Sequence, residues 1–242
     1  MEDMERYGDY NETEEEAVPQ KKNILFVCVK WLLALVIALV VGLLGYRLFL
    51  FEHYPKDVKQ FVLTESYLAL VEEGRAPKVK TQQLRFPYDD NDLDTRNSND
   101  LGTFFANFLF ICEDSGELQI TLRINDAGYS DIAERYKVQN VDTVARSLSF
   151  RLTDNYGRTY GDVSFLHTTE YAMYHYYKLC FSGIDFTAPA DGLGAPEWIR
   201  LEVLYAGEDK PYSYMLIYEN NEDFSDFRDY SVTGKEPSHL DY

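Results

Sequence analysis

Residues Glu117–Asn125 read ELQITLRIN, so Leu118, Ile120, Leu122 and Ile124 alternate with Gln119, Thr121, Arg123 and Asn125. Successive side chains of an extended chain point to opposite faces, and the stretch therefore sorts into one apolar and one polar face. That pattern predicts a half-buried strand of an antiparallel sheet, with the polar residues toward water. Just upstream, Phe104–Cys112 (FFANFLFIC) is almost wholly apolar. The intervening Glu113, Asp114, Ser115 and Gly116 have the composition of a four-residue hairpin loop.

Working outward, the same signals recur. Residues 147–153 alternate, with Leu148, Phe150 and Leu152 inward, and the turn Asp154-Asn155-Tyr156-Gly157 leads into residues 158–166. A further hairpin joins Trp198–Tyr205 to residues 212–218 across Gly207 to Pro211, and residues 171–181 form an aromatic strand candidate. Strand and turn alternate without a helical period of comparable strength or an internal repeat. The expected fold is all-β, an antiparallel β-sandwich of about seven to nine strands. The aromatic content of 15 %, with 20 Tyr and 15 Phe, favours strands and argues against a disordered chain.

Two cysteines fall on these strands, Cys112 and Cys180, 68 positions apart. In an oxidising compartment they are candidates for a disulfide between the two sheets, which would stabilise by about 4 kcal/mol through loop closure. The spacing is immunoglobulin-like in pattern, and the resemblance stops there. No Trp follows Cys112 at strand distance, and Lys178 stands two before Cys180 where that family has Tyr. The alternative is a pair of free buried thiols.

Toward the N-terminus, residues 24–51 are apolar except for Lys30 and Arg47. The uncharged centre, residues 31–46, reads WLLALVIALVVGLLGY. Sixteen helical residues rise roughly 24 Å, and counting residues 28–50 brings the length to that of a hydrocarbon core of about 30 Å. Trp31 and Tyr46 lie where interfacial aromatics belong, and Lys30 and Arg47 sit where long side chains snorkel. No small-x-small site follows the run, so an uncleaved signal anchor is expected. Lys and Arg are balanced across it: Lys21, Lys22 and Lys30 on one side, Arg47, Lys56 and Lys59 on the other. The expected orientation, N-terminus cytoplasmic and C-terminal domain outside, rests on the short tail before an N-terminal apolar segment. Ala34, Ala38 and Gly42 recur every four residues, a helix-packing stripe that suggests a weak homodimer in the bilayer.

The organisation that follows is an acidic cytoplasmic tail (1–23), a transmembrane helix (24–51), a juxtamembrane helix or stalk (52–78), a β-sandwich domain (79–220) and an acidic C-terminal segment (221–242). The juxtamembrane helix is inferred from Val58, Phe61, Val62, Leu68 and Val71 near a helical period, with Gly74 as its stop.

Net charge is -18, and the tail holds eight acids against Arg6, Lys21 and Lys22. A domain as acidic as the remainder is repelled by nucleic acid, which sets that partner aside. Asp90, Asp92 and Asp94 begin with the alternation of an EF-hand loop, but Thr95 stands where the loop needs Gly and Leu101 where it needs Glu. Calcium on a non-EF loop is the one cofactor left open, and that weakly. The four histidines, at 53, 167, 175 and 239, have no zinc-ligand spacing, and no G-x-S-x-G, S-x-x-K or Walker sequence occurs. Tyr171, Tyr174, Tyr176 and Tyr177 are candidate ligand-contact aromatics, with cross-strand packing as the plainer reading.

The leading functional expectation is a non-enzymatic, membrane-anchored binding or scaffold module of the cell envelope, with another envelope protein or a glycan as partner. The alternatives are an envelope hydrolase working through carboxylates on polysaccharide or peptide, and a bitopic signalling or assembly subunit.

Overall fold

The computed structural model describes residues 24–84, 104–161, 163–171, 174–187, 192–220 and 227–239. It divides into two compact units, residues 1–52 and 53–242.

In the first unit, α1 (Ile24–Glu52) is a continuous helix. Its stretch Phe26–Leu50 is long and apolar enough to cross a membrane, and every side chain from Phe26 to Phe49 is exposed. A single-pass anchor and a signal sequence both have this form.

Among the described residues the second unit is mostly strands in two antiparallel sheets. Sheet I has six strands: β1 (Val79–Gln83), β2 (Phe104–Cys112), β3 (Glu117–Asn125), β6 (Val163–Tyr171), β7 (Tyr174–Phe181) and β10 (Arg228–Tyr230), in the order β10-β1-β2-β3-β7-β6. Sheet II has four: β4 (Leu148–Asp154), β5 (Thr159–Tyr160), β8 (Trp198–Tyr205) and β9 (Ser213–Glu219), in the order β5-β4-β8-β9. Among the described residues neither sheet closes on itself. The β2–β3 and β8–β9 hairpins form where their polar turns predict them. At the first of these turns Gly116 has φ +65°, and a Cβ there would meet the Ile184 carbonyl oxygen at 2.8 Å. The position therefore takes glycine for two reasons, backbone conformation and close approach.

One hydrophobic cluster draws on both sheets. Leu118, Ile120, Leu122 and Ile124 of β3 join Leu148, Phe150 and Leu152 of β4, Leu201 and Val203 of β8, and Met215 and Ile217 of β9. Each such side chain contributes about 1.5–3 kcal/mol by leaving water.

Two helices that the alternation did not reveal, α3 (Asp126–Tyr136) and α4 (Val141–Ser147), connect β3 to β4. The Asn125 side chain caps α3 by accepting from the Gly128 N–H at 2.7 Å, and Lys137 ends it in a left-handed conformation with φ 55°. Tyr129, Ile132 and Ala133 of α3 and Val144 of α4 pack into the same cluster.

The juxtamembrane segment is not the single helix that its apolar spacing suggested. A 3-10 turn at Asp57–Lys59 gives way to extended chain, and only Glu65–Glu72 (α2) is α-helical. Thr64 caps α2 by accepting from the Tyr67 N–H at 3.3 Å. Residues 54–64 form a strap whose backbone bonds are met by side chains of sheet I and by the C-terminal segment. That segment also belongs to the unit: Leu63 donates its N–H to the Pro237 carbonyl at 2.9 Å and bridges to Ser238.

Candidate functional site

The polar face of β3 is not a solvent face. Glu117 is 1 % exposed, and Gln119, Thr121 and Arg123 are 0 % exposed. These four side chains project from alternate positions of one strand, and each holds a successive part of the strap. The Arg123 guanidinium lies 5.1 Å from the centre of the Tyr54 ring and 4.6 Å from that of Tyr174. The Thr121 hydroxyl donates to the Val58 carbonyl at 2.7 Å. The Gln119 amide accepts from the Val62 N–H at 2.9 Å and donates to its carbonyl at 2.8 Å, standing in for a neighbouring strand. The Thr64 hydroxyl is 2.7 and 2.8 Å from the two Glu117 carboxylate oxygens. The strap thus runs forward from 54 to 64 as β3 runs back from 123 to 117, and the rungs form a ladder between two layers.

Lys178 on β7 sits inside this layer and is 0 % exposed. Its Nζ is 3.4 Å from the Thr121 hydroxyl and 4.1 Å from the centre of the Phe110 ring. Burial pulls its pKa down from 10.5 to about 7, and the nearby Cys180 opposes this only in part. Among the described residues no carboxylate lies within ion-pair distance of it. Glu202 in sheet II has the opposite environment: Arg151 reaches it through Nε at 2.8 Å and Nη2 at 2.6 Å, and Arg200 binds its other oxygen.

Cys112 and Cys180 are buried and unbridged. They lie on β2 and β7 of the same sheet, with β3 between, where Cys112 is opposite Glu117 and Cys180 opposite Gln119. Two interstrand spacings of about 4.8 Å already exceed the reach of a disulfide. The expected bridge between sheets is corrected to two thiols on one face. Burial raises the pKa of both, so they behave as small apolar groups.

Of the candidate contact aromatics, Tyr174, Tyr176 and Tyr177 are buried. Tyr177 belongs to the hydrophobic cluster that draws on both sheets, while Tyr174 and Tyr176 line the strap layer. Tyr171, at the end of β6, is exposed. His175 is flanked by Asp126 at 2.8 Å and Glu170 at 3.2 Å, with the Tyr129 ring against it. Asp90, Asp92 and Asp94 lie outside the described residues. Among the described residues no cluster of His, Cys, Asp and Glu is arranged to hold a metal.

A groove of about 480 Å³ opens beside the strap layer, where α2 meets the β1–β10 edge of sheet I. Tyr67 and Val71 of α2, Arg75 to Lys78 of the following loop, and Asp229, Tyr230 and Val232 line it. Arg75 is paired with Asp114 at 3.3 Å, which also accepts from the Lys78 N–H at 3.0 Å and so fixes the loop. Val71 is exposed, and β10 is only three residues long. Sequence reasoning missed both groove and ladder, because each depends on strap and C-terminal segments whose place on the sheet no local pattern encodes. No protein-family model, curated protein or solved structure matches this chain.

Proposed function

We propose that this chain is a single-pass, membrane-anchored protein of the cell envelope whose β-rich domain is a non-enzymatic binding or scaffold module outside the membrane. The observation that carries the reading is the division of the chain into an exposed apolar helix and a separately cored unit. An apolar surface of that length is costly in water and stable in lipid. The two sheets share one hydrophobic cluster, which supports an open β-sandwich as the domain's architecture. The cysteines on a single sheet give no support to the immunoglobulin-like pattern. The groove at the β1–β10 edge supplies a binding site for a peptide segment of an envelope protein or for a glycan, with tyrosine and aliphatic walls and cations at its rim.

Protease added to intact cells or spheroplasts is expected to digest the domain and spare an N-terminal tag; protection of the domain would reverse the topology. Titration of the protein with soluble glycan fragments and with extended peptides is expected to perturb NMR signals of Val71, Lys78 and Tyr230 in a saturable way. Absence of saturation with both ligand classes would remove the groove from the reading. The stripe Ala34, Ala38 and Gly42 on α1 is proposed to support weak self-association. Ala38→Ile should then weaken it in a membrane two-hybrid assay while Leu35→Ile does not.

A further inference from the structure

The strap follows α1 directly in the chain, and β3 holds it at one rung after another. One rung is built over an amine. The Thr121 hydroxyl donates to the Val58 carbonyl, so its remaining lone pairs face the Lys178 Nζ at 3.4 Å. A neutral amine fits such a place: a hydroxyl and an aromatic ring are its closest described partners, and Val58, whose carbonyl that hydroxyl binds, is 0 % exposed. An ammonium has three donors to satisfy and loses its hydration there.

We propose that the strap is a latch, released from β3 when the Lys178 amine beneath it takes up a proton. The titratable and charged groups on the surrounding elements do little to hold a charge at that point. Cys180 and Tyr176 are on its own strand. On β3, Glu117 is beyond the Gln119–Cys180 pair and is engaged by Thr64, and Arg123 brings a second positive charge. Cys112 on β2, and Asp57 and Lys59 on the strap, make no ion pair with Lys178 among the described residues. His167 is the register partner of Lys178 on β6. The depressed pKa of about 7 places the transition near neutrality. In this proposal water reaches Nζ by lifting the Val58 turn, which also breaks the Thr121 rung. Eleven released residues span at most about 36 Å when fully extended. The device is independent of what the domain binds.

The test is hydrogen exchange of the full chain in detergent micelles at pH 6 and pH 8.5, read by mass spectrometry and corrected for intrinsic rates. Peptides covering residues 54–64 are expected to lose protection by at least about tenfold at pH 6, while peptides from β8 keep theirs. Lys178→Met is expected to keep the strap protected at both values. Equal strap protection at the two pH values in the parent would overturn the latch, and so would an unchanged pH response in Lys178→Met. A ¹³C-lysine titration of the parent gives a reading that needs no variant. A Lys178 midpoint near 7 that coincides with strap release supports the proposal, and a midpoint near 10 contradicts it.

Discussion

The two faces of β3 are both buried, by different means. Leu118, Ile120, Leu122 and Ile124 enter a core shared by the two sheets, where burial itself is the stabilising term. Glu117, Gln119, Thr121 and Arg123 are just as inaccessible, but each had to find a polar or aromatic partner on the strap. The apolar face stabilises without regard to direction. The polar face gives a position: one residue of the strap for each rung.

The largest expected effect is on the apolar face. Ile120→Ala should cost about 2–5 kcal/mol, measured as a lowered urea midpoint, and should affect both sheets at once. On the polar face, Gln119→Leu removes both partners of the Val62 backbone and should cost about 2 kcal/mol. Its loss should be local. Exchange at residues 61–63 should accelerate more than exchange in β8, because a lifted strap finds water for its N–H and carbonyl groups. A Gln119→Leu variant that loosens the two regions equally would mean that the faces form one cooperative layer.

Lys178 gives the next effect. Its folded pKa lies below its unfolded value, so between about pH 7 and 10 the unfolded chain binds more protons than the folded one. Stability should therefore rise with pH across that window, by about 1 kcal/mol per unit, and level off below pH 7. Lys178→Met should flatten this slope and raise stability at neutral pH, as urea titrations at several pH values would show. Glu202, with two arginines around it, is the contrasting case of a buried charge already paired. The smallest effect belongs to the exposed pair of Lys80 and Glu113, 2.6 Å apart. Lys80→Ala should change stability by less than about 0.5 kcal/mol, even though its distance is shorter than that of any rung in the ladder.

Much of the strand pattern was legible in the sequence. Alternation in ELQITLRIN and in residues 147–153 identified strands, and short polar turns marked two hairpins. Alternation reports the polarity of a face and is silent about what covers it, which is why Gln119, Thr121 and Arg123 read as solvent-facing. Val58, Phe61 and Val62 fit a helical period and an extended strap alike, since both bury them. Only the partners at Gln119 and Pro237, distant in sequence, decide for the strap. The α3 helix had a local signal that went unused: Asn125 as a cap, Asp126 in the first turn and Arg135 in the last. The cysteine pairing failed because spacing in sequence does not say which sheet a strand joins.

The claim on which the rest depends is that the strap covers the polar face of β3. Amine acylation of the full chain in micelles at pH 8.5, followed by peptide mass spectrometry, measures this directly. Lys178 is expected to stay unmodified while Lys59, Lys78 and Lys80 are acylated. Acylation of Lys178 at the rate of Lys80 would show that the face is open to solvent, and would contradict the ladder and the latch together.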